Sequence, residues 1–218
     1  MAEPTPILGT IGVGINNAAS ISPGLMANPS LGPQQDQLVT QLHGQYFEQC
    51  RRNNRFFASV VGQVTTVGLA TTYTGLCLSN PLGSGKLIVV DKVSYAFLVA
   101  FAAASAVGIM VGYSASTDVT HTTPVTVRQG RIGGAMNTPG CVGKVDSAAT
   151  LSATPVIHTI LDAGLTGAIT TTPKAGPNVY ELGGGLILEP GAFAAIYTST
   201  ASGAASMGAS WKWHEIAA

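Results

Sequence analysis

From Phe56 to the C-terminus, β-branched and aromatic residues fall in short runs separated by small-residue turns: FFASVV, QVTTVGLATT, YTGLCLSN, KLIVVDKVSYAFLVA, VGIMVGYSA, TPVTVRQ, PVIHTILD, NVYELG, GLILEP, AFAAIYTST and SMGASWKWHEI. Runs of this kind at short spacing, with little helical period between them, predict an antiparallel sandwich or barrel rather than a parallel α/β sheet. GLILEPGAFAAIYTS predicts a hairpin, since Pro190 fixes φ at one turn position and Gly191 takes positive φ at the next. The last run has period two: Met207, Ala209, Trp211 and Trp213 point one way, Lys212 and His214 the other. Two tryptophans on one face predict a core anchor for one sheet; if exposed they would form an interface hot spot instead.

The pattern before Phe56 is different. Residues 1–35 carry spaced prolines and isolated aliphatics without a sustained period. Ile7, Leu8, Ile11, Val13, Ile15, Ile21, Leu25 and Met26 make the segment too apolar for a solvated tail. It reads as an extended arm lying on its own domain or, preferably, on a partner subunit. Residues 36–55 read as a short helix and linker. Asp36 caps the start, Leu38, Leu42 and Tyr46 share a face, and Arg51 and Arg52 suit the C-terminal end of the helix dipole. Gly44 weakens that helix by about 1 kcal/mol relative to Ala. Residues 56–218 form the β domain.

Val93 to Tyr113 passes 21 residues without a charge, long enough for a hydropathy window to suggest a membrane helix. Its β-branched and aromatic ends, the small AAASA in its middle and the lack of a basic flank favour two strands and a tight connection. Only 9% of residues are charged, with ten basic and ten acidic, so the surface is weakly defended against association. A neutral chain is not drawn to nucleic acid or an anionic membrane. RRNNR, Arg51 to Arg55, is the local exception; its arginines suit a helix C-terminus and a partner's carboxylates. Cys50, Cys77 and Cys141 are an odd, widely spaced set, read as buried thiols of a protein made in a reducing cytoplasm. MAEPTPILG shows no secretory leader pattern.

Motifs for chemistry fail on inspection. In NPLGSGKLIVV the first P-loop glycine is Asn80, the hydroxyl position after Lys86 is Leu87, and a strand pattern follows where a helix is needed. GYSAS, Gly112 to Ser116, lacks the second glycine of a nucleophile elbow. His43, His121, His158 and His214 have no metal-ligand spacing, and no carboxylates pair. The sequence therefore predicts no catalytic, metal or cofactor-binding residues and no enzyme.

ATTYTGLCLSNPLGSGKLIVVDKVSYAF, VGYSASTDVTHTTPVTVR and ELGGGLILEPGAFAAIYTSTASGAASMGASWKWHEI together resemble tailed-bacteriophage capsid cement (decoration) proteins, small virion proteins encoded near the major capsid protein. The resemblance runs from about His43 to Ile216 and rests on turn and strand signatures. It implies an all-β, jelly-roll-like β-sandwich that binds the outside of an icosahedral capsid and bridges neighbouring major capsid subunits. It also implies self-association, with a homodimer preferred on symmetry grounds and a trimer as the other arrangement. Partners would be the major capsid protein and the chain itself, with no nucleic acid, membrane or cofactor, on the virion exterior after synthesis in the host cytoplasm. The expected contact residues are Ile7, Leu8, Ile11, Ile15, Ile21, Leu25, Arg51, Arg52 and Arg55, with Trp211 and Trp213 in the core. The KWHE ending and the long arm depart from the family pattern and bear on the contact surface. Other readings are a tail or head fibre module, which would more naturally show repeats or heptads, and a membrane protein with a helix at 93–113.

Overall fold

The computed structural model describes residues 44–66, 68–98, 101, 105–133, 140–165, 178–201 and 207–218. The chain divides into two units, Met1–Glu48 and Gln49–Ala218. The expected arm contacts Ile7, Leu8, Ile11, Ile15, Ile21 and Leu25 lie outside the described residues, as do Asp36 and His43. Of the predicted short helix, residues 36–43 lie outside the described residues, and α1 (Phe47–Arg51) forms in its C-terminal part. Gly44 to Tyr46 form a turn before it, closed by the Phe47 amide donating to the Gly44 carbonyl at 2.9 Å.

Among the described residues eleven strands follow: β1 (Arg55–Gln63), β2 (Thr72–Ser79), β3 (Lys86–Phe97), β4 (Ser105–Tyr113), β5 (Thr120–Pro124), β6 (Arg128–Gln129), β7 (Lys144–Thr150), β8 (Val156–Leu165), β9 (Asn178–Leu188), β10 (Ala192–Thr198) and β11 (Met207–Ala217). They form two antiparallel sheets, ordered β6-β1-β11-β3-β9 and β5-β7-β2-β10-β4-β8. Within the Val93–Tyr113 stretch, 93–97 end β3 and 105–113 form β4. No helix among the described residues is long and apolar enough to cross a membrane.

The two sheets face each other across one core. Alternate residues of β11 (Ala209, Trp211, Trp213), β3 (Ile88, Val90, Val93, Tyr95) and β1 (Phe56, Ala58) meet Leu76 and Leu78 of β2, Ile109 of β4 and Ala194 and Ile196 of β10. Trp211 and Trp213 are fully buried. The Trp211 indole N–H donates to the Leu76 carbonyl across the core at 3.2 Å, so its polar atom is satisfied where its ring is dry. The outward face of the second sheet carries a smaller cluster, with Tyr73, Cys77, Met110, Phe193 and Ala195 covered by Val119 and Leu151.

Pro190–Gly191 makes the predicted turn, with Gly191 at φ 91° and the Ala192 amide donating to the Glu189 carbonyl at 2.9 Å. The strands it joins do not pair. β9 ladders with β3 and β10 with β2 and β4, so the turn crosses between sheets where a hairpin was expected. NPLGSG crosses the same way, from β2 to β3, and Asn80 fastens the two crossings together. Its amide donates to the Lys86 carbonyl at 2.8 Å and the Leu188 carbonyl at 2.9 Å. Its backbone exchanges hydrogen bonds with Gly191 and Ala192.

Three other segments differ from expectation. Residues 64–66 and 68–71 lie outside the strands, and Thr66 bonds back to Thr74 through its hydroxyl. TPVTVRQ splits between β5 and β6 with Val125 to Val127 outside both. KVDSAAT, too small and polar to read as a strand, is β7.

Candidate functional site

Charged groups are few, and the buried acids among the described residues, Asp91, Asp146 and Glu215, each sit in a cluster of their own. Glu215 is 3% exposed at the end of β11. One of its carboxylate oxygens accepts from the Gly143 amide at 2.9 Å, the Val142 amide at 3.0 Å, the Cys141 thiol at 3.2 Å and the Trp213 indole at 3.3 Å. The other accepts from the Lys86 ammonium at 3.1 Å. The lysine of the apparent phosphate motif is thus engaged with Glu215 and the Gly140 carbonyl, and its loop is a sheet-crossing turn.

Asp91 forms the second cluster, on the outer face of the five-stranded sheet. It falls at a bulge in β3, where Val90 and Lys92 pair with both neighbouring strands and Asp91 is skipped. Arg55 Nε donates to its Oδ2 and His214 Nδ1 to its Oδ1, each at 2.9 Å. Arg55 is therefore turned into the fold, with its side chain 13% exposed. Arg51 and Arg52 are exposed beside it.

In the third cluster, His121 Nδ1 bonds Asp146 Oδ2 at the wall of a cavity of about 430 Å³ that also touches Cys141 and Lys144. This His–Asp pair resembles the orienting half of a catalytic triad but has no nucleophile bonded to it among the described residues. The Ser114 hydroxyl accepts instead from the Thr117 amide at 3.1 Å, an ordinary turn contact. His158 bonds its neighbour Thr159 on the surface. No group of three His, Cys, Asp or Glu side chains among the described residues could hold a metal.

Cys50, Cys77 and Cys141 are free thiols. Burial, reinforced by Asp146, pushes the Cys77 thiol far up, and burial with Glu215 does the same at Cys141. Both stay protonated and inert, the reverse of a catalytic cysteine. Stability should therefore fall as pH rises past the unfolded thiol pKa of about 8.5. Above that point the unfolded chain has lost thiol protons that the folded chain keeps, so the slope of stability with pH is negative. A fully protonated buried thiol contributes about 1.4 kcal/mol per pH unit to that loss. Urea titrations from neutral pH to about 10, on the wild type and on Cys77→Ala, should give a shallower alkaline slope in the variant; parallel slopes would contradict the assignment.

The residues that organise these clusters, Asp91, Asp146 and Glu215, were not singled out in the sequence. One signal was available for Asp91, a lone carboxylate inside the apolar run LIVVDKV, a placement that burial tolerates only with a partner. The chain matches no protein-family model, no curated protein and no solved structure.

Proposed function

We propose that this chain is a structural subunit of a virion: a cement protein that binds the outside of an icosahedral phage capsid and bridges neighbouring major capsid subunits. The observation that carries the reading is the strand order. With β5, β6 and β7 set aside as an insertion, the eight remaining strands numbered in sequence lie 1-8-3-6 in one sheet and 2-7-4-5 in the other. This order supports reading the sandwich as a jelly roll, a double Greek-key architecture recurrent in viral shells and also found in lectins and cupins.

Three features favour a shell subunit over the lectin and cupin alternatives. The described residues assemble no metal cluster. The buried ionisable groups are consumed in holding turns and strands together. Val156, Ile157 and Ile160, on an edge strand of the six-stranded sheet, are between 44% and 60% exposed. Exposed apolar edges of this kind are hazardous in an isolated subunit and are normally covered.

The mechanism is mass action. A subunit that binds the assembled shell but not its separated capsomers adds its binding free energy to the shell's stability. Bridging two capsomers, or self-association as a dimer, raises the effective concentration of each further contact. The test is quantitative mass spectrometry of purified particles, with the wild type and a chain lacking residues 1–35. Wild-type chain in a fixed ratio to the major capsid protein, and a folded truncation with weakened incorporation, are expected. A handful of copies per particle would move the chain to the tail or a fibre; absence from particles would overturn the reading.

A further inference from the structure

We propose that the outer face of the five-stranded sheet, at its β6-β1-β11 side, docks an acidic segment of a protein partner. The identity of that partner as a shell subunit rests on the virion reading above; the docking chemistry does not.

The chain is neutral, but its charges are unevenly placed. Two arginine-bearing runs far apart in sequence, RRNNR (51–55) and VRQGR (127–131), are brought side by side by the pairing of β1 with β6. Phe57 lies opposite Arg128, and the Gly130 amide donates to the Arg55 carbonyl at 2.7 Å. From there one cross-strand row runs over the outer face: Arg128, Phe57, Lys212, Lys92, Glu181. Directly opposed residues in antiparallel strands project to the same side, so three cations share this row with one aromatic ring and a single acid.

Lys92 is engaged with Glu181, and Arg51 and Arg52 have interactions of their own. Arg128, Arg131 and Lys212 are different. All three are exposed, and among the described residues none forms a side-chain hydrogen bond or ion pair. Lys212 also stands directly opposite Lys92, a like-charge pairing that disfavours the isolated sheet and that an incoming carboxylate relieves.

The face is concave at this point. A cleft of about 360 Å³ is lined by Arg55, Phe57, Ser59, Ile132, Ser210 and Lys212. Ile132 is 66% exposed at its rim. An apolar floor, hydroxyls along the next cross-strand row and cations on two sides suit a polypeptide that alternates carboxylate and aliphatic side chains. Guanidinium groups grip carboxylates through paired N–H donors, which supplies orientation as well as attraction. A nucleic-acid strand is the poorer fit. The row ends in an acid, it carries one aromatic ring, and a chain of zero net charge has no long-range field to gather a polyanion.

The test is fluorescence anisotropy on the full chain with three labelled probes of equal length: a peptide alternating Glu and Leu, its Gln and Leu counterpart, and a single-stranded oligodeoxynucleotide. The acidic peptide should bind, more weakly as salt is raised, and the Gln peptide should not. The Arg128→Ala/Arg131→Ala/Lys212→Ala variant should bind the acidic peptide about tenfold less tightly, the combined effect of three partly exposed ion pairs. Its urea midpoint should match the wild type, because the three side chains hold nothing in the fold. No binding, equal binding of the two peptides, unchanged binding by the variant, or tighter binding of the oligonucleotide would each overturn the proposal. The assay contains no particles, so its failure leaves the virion reading standing. Absence of the wild-type chain from particles would remove that reading and leave the docking result intact.

Discussion

Glu215→Ala is expected to lower the free energy of unfolding by about 3–5 kcal/mol, the range for removing one member of a buried ion pair. The substitution deletes one carboxylate and orphans several donors together. The amides of Val142 and Gly143, the Trp213 indole and the Lys86 ammonium all point at it. The two amides and the indole cannot turn to water without moving the backbone before β7 or the core side of β11, whereas the Lys86 side chain, 33% exposed, can. Glu215→Gln keeps one carbonyl oxygen for the amides and loses the charge; it should cost less, about 1–3 kcal/mol. Urea unfolding followed by tryptophan fluorescence gives both values, since Trp213 lies against the altered site. A Glu215→Ala midpoint equal to that of the wild type would mean that the donors find other acceptors and that the cluster is not a fastening.

The reason for a carboxylate at this position lies in the topology. Lys86 opens β3 directly after the NPLGSG crossing, Gly143 precedes β7, and Glu215 closes the chain's last strand. The three segments are distant in sequence and belong to both sheets. A backbone amide pair left unpaired where β7 begins would be costly, and a side chain with two acceptor oxygens satisfies the pair and the neighbouring lysine together. The apparent phosphate loop is therefore explained without a ligand. Its glycines serve the turn, with Gly83 at φ 70° and Gly85 at φ 65°, and its lysine serves Glu215.

What could be read from the sequence was what depends on local chemistry. Runs of β-branched and aromatic residues located most of the strands, and the burial of Trp211 and Trp213 follows from period two on β11. The type of the Pro190–Gly191 turn was legible, because φ constraints act on single residues. Its destination was not. Whether the chain after a turn pairs with the strand before it or crosses to the facing sheet depends on which edges are already occupied, and β9 and β10 find partners far away in the sequence, as when Ala195 pairs with Cys77. β7 escaped notice because Ser147, Ala148 and Ala149 have little β propensity, and pairing with both β2 and β5 holds them in place. The charged row on the outer sheet face was illegible for a related reason. RRNNR is visible as a run, but only the pairing of β1 with β6 and with β11 sets Arg128 and Lys212 on either side of Phe57.

The Asp91 cluster makes the second large prediction, and it separates Arg55 from the neighbouring arginines. Asp91→Leu alone should cost about 3–5 kcal/mol, because it leaves the Arg55 guanidinium largely buried without its carboxylate. Arg55→Met alone should be of similar size, since it leaves Asp91, 1% exposed, with only His214. The double variant, in which apolar side chains of similar volume replace both charges, should regain most of the loss, as buried ion pairs exchanged whole for hydrophobic groups often do. The cycle would then report a coupling energy well above that of an exposed pair, which is at most about 1 kcal/mol. Additive single losses would show that Asp91 and Arg55 act independently and that the bulge in β3 is held by something else. If the coupling is found, Arg55 holds β1 against β3 across β11 and fixes the sheet face on which Phe57, Lys212 and Arg128 lie in one row.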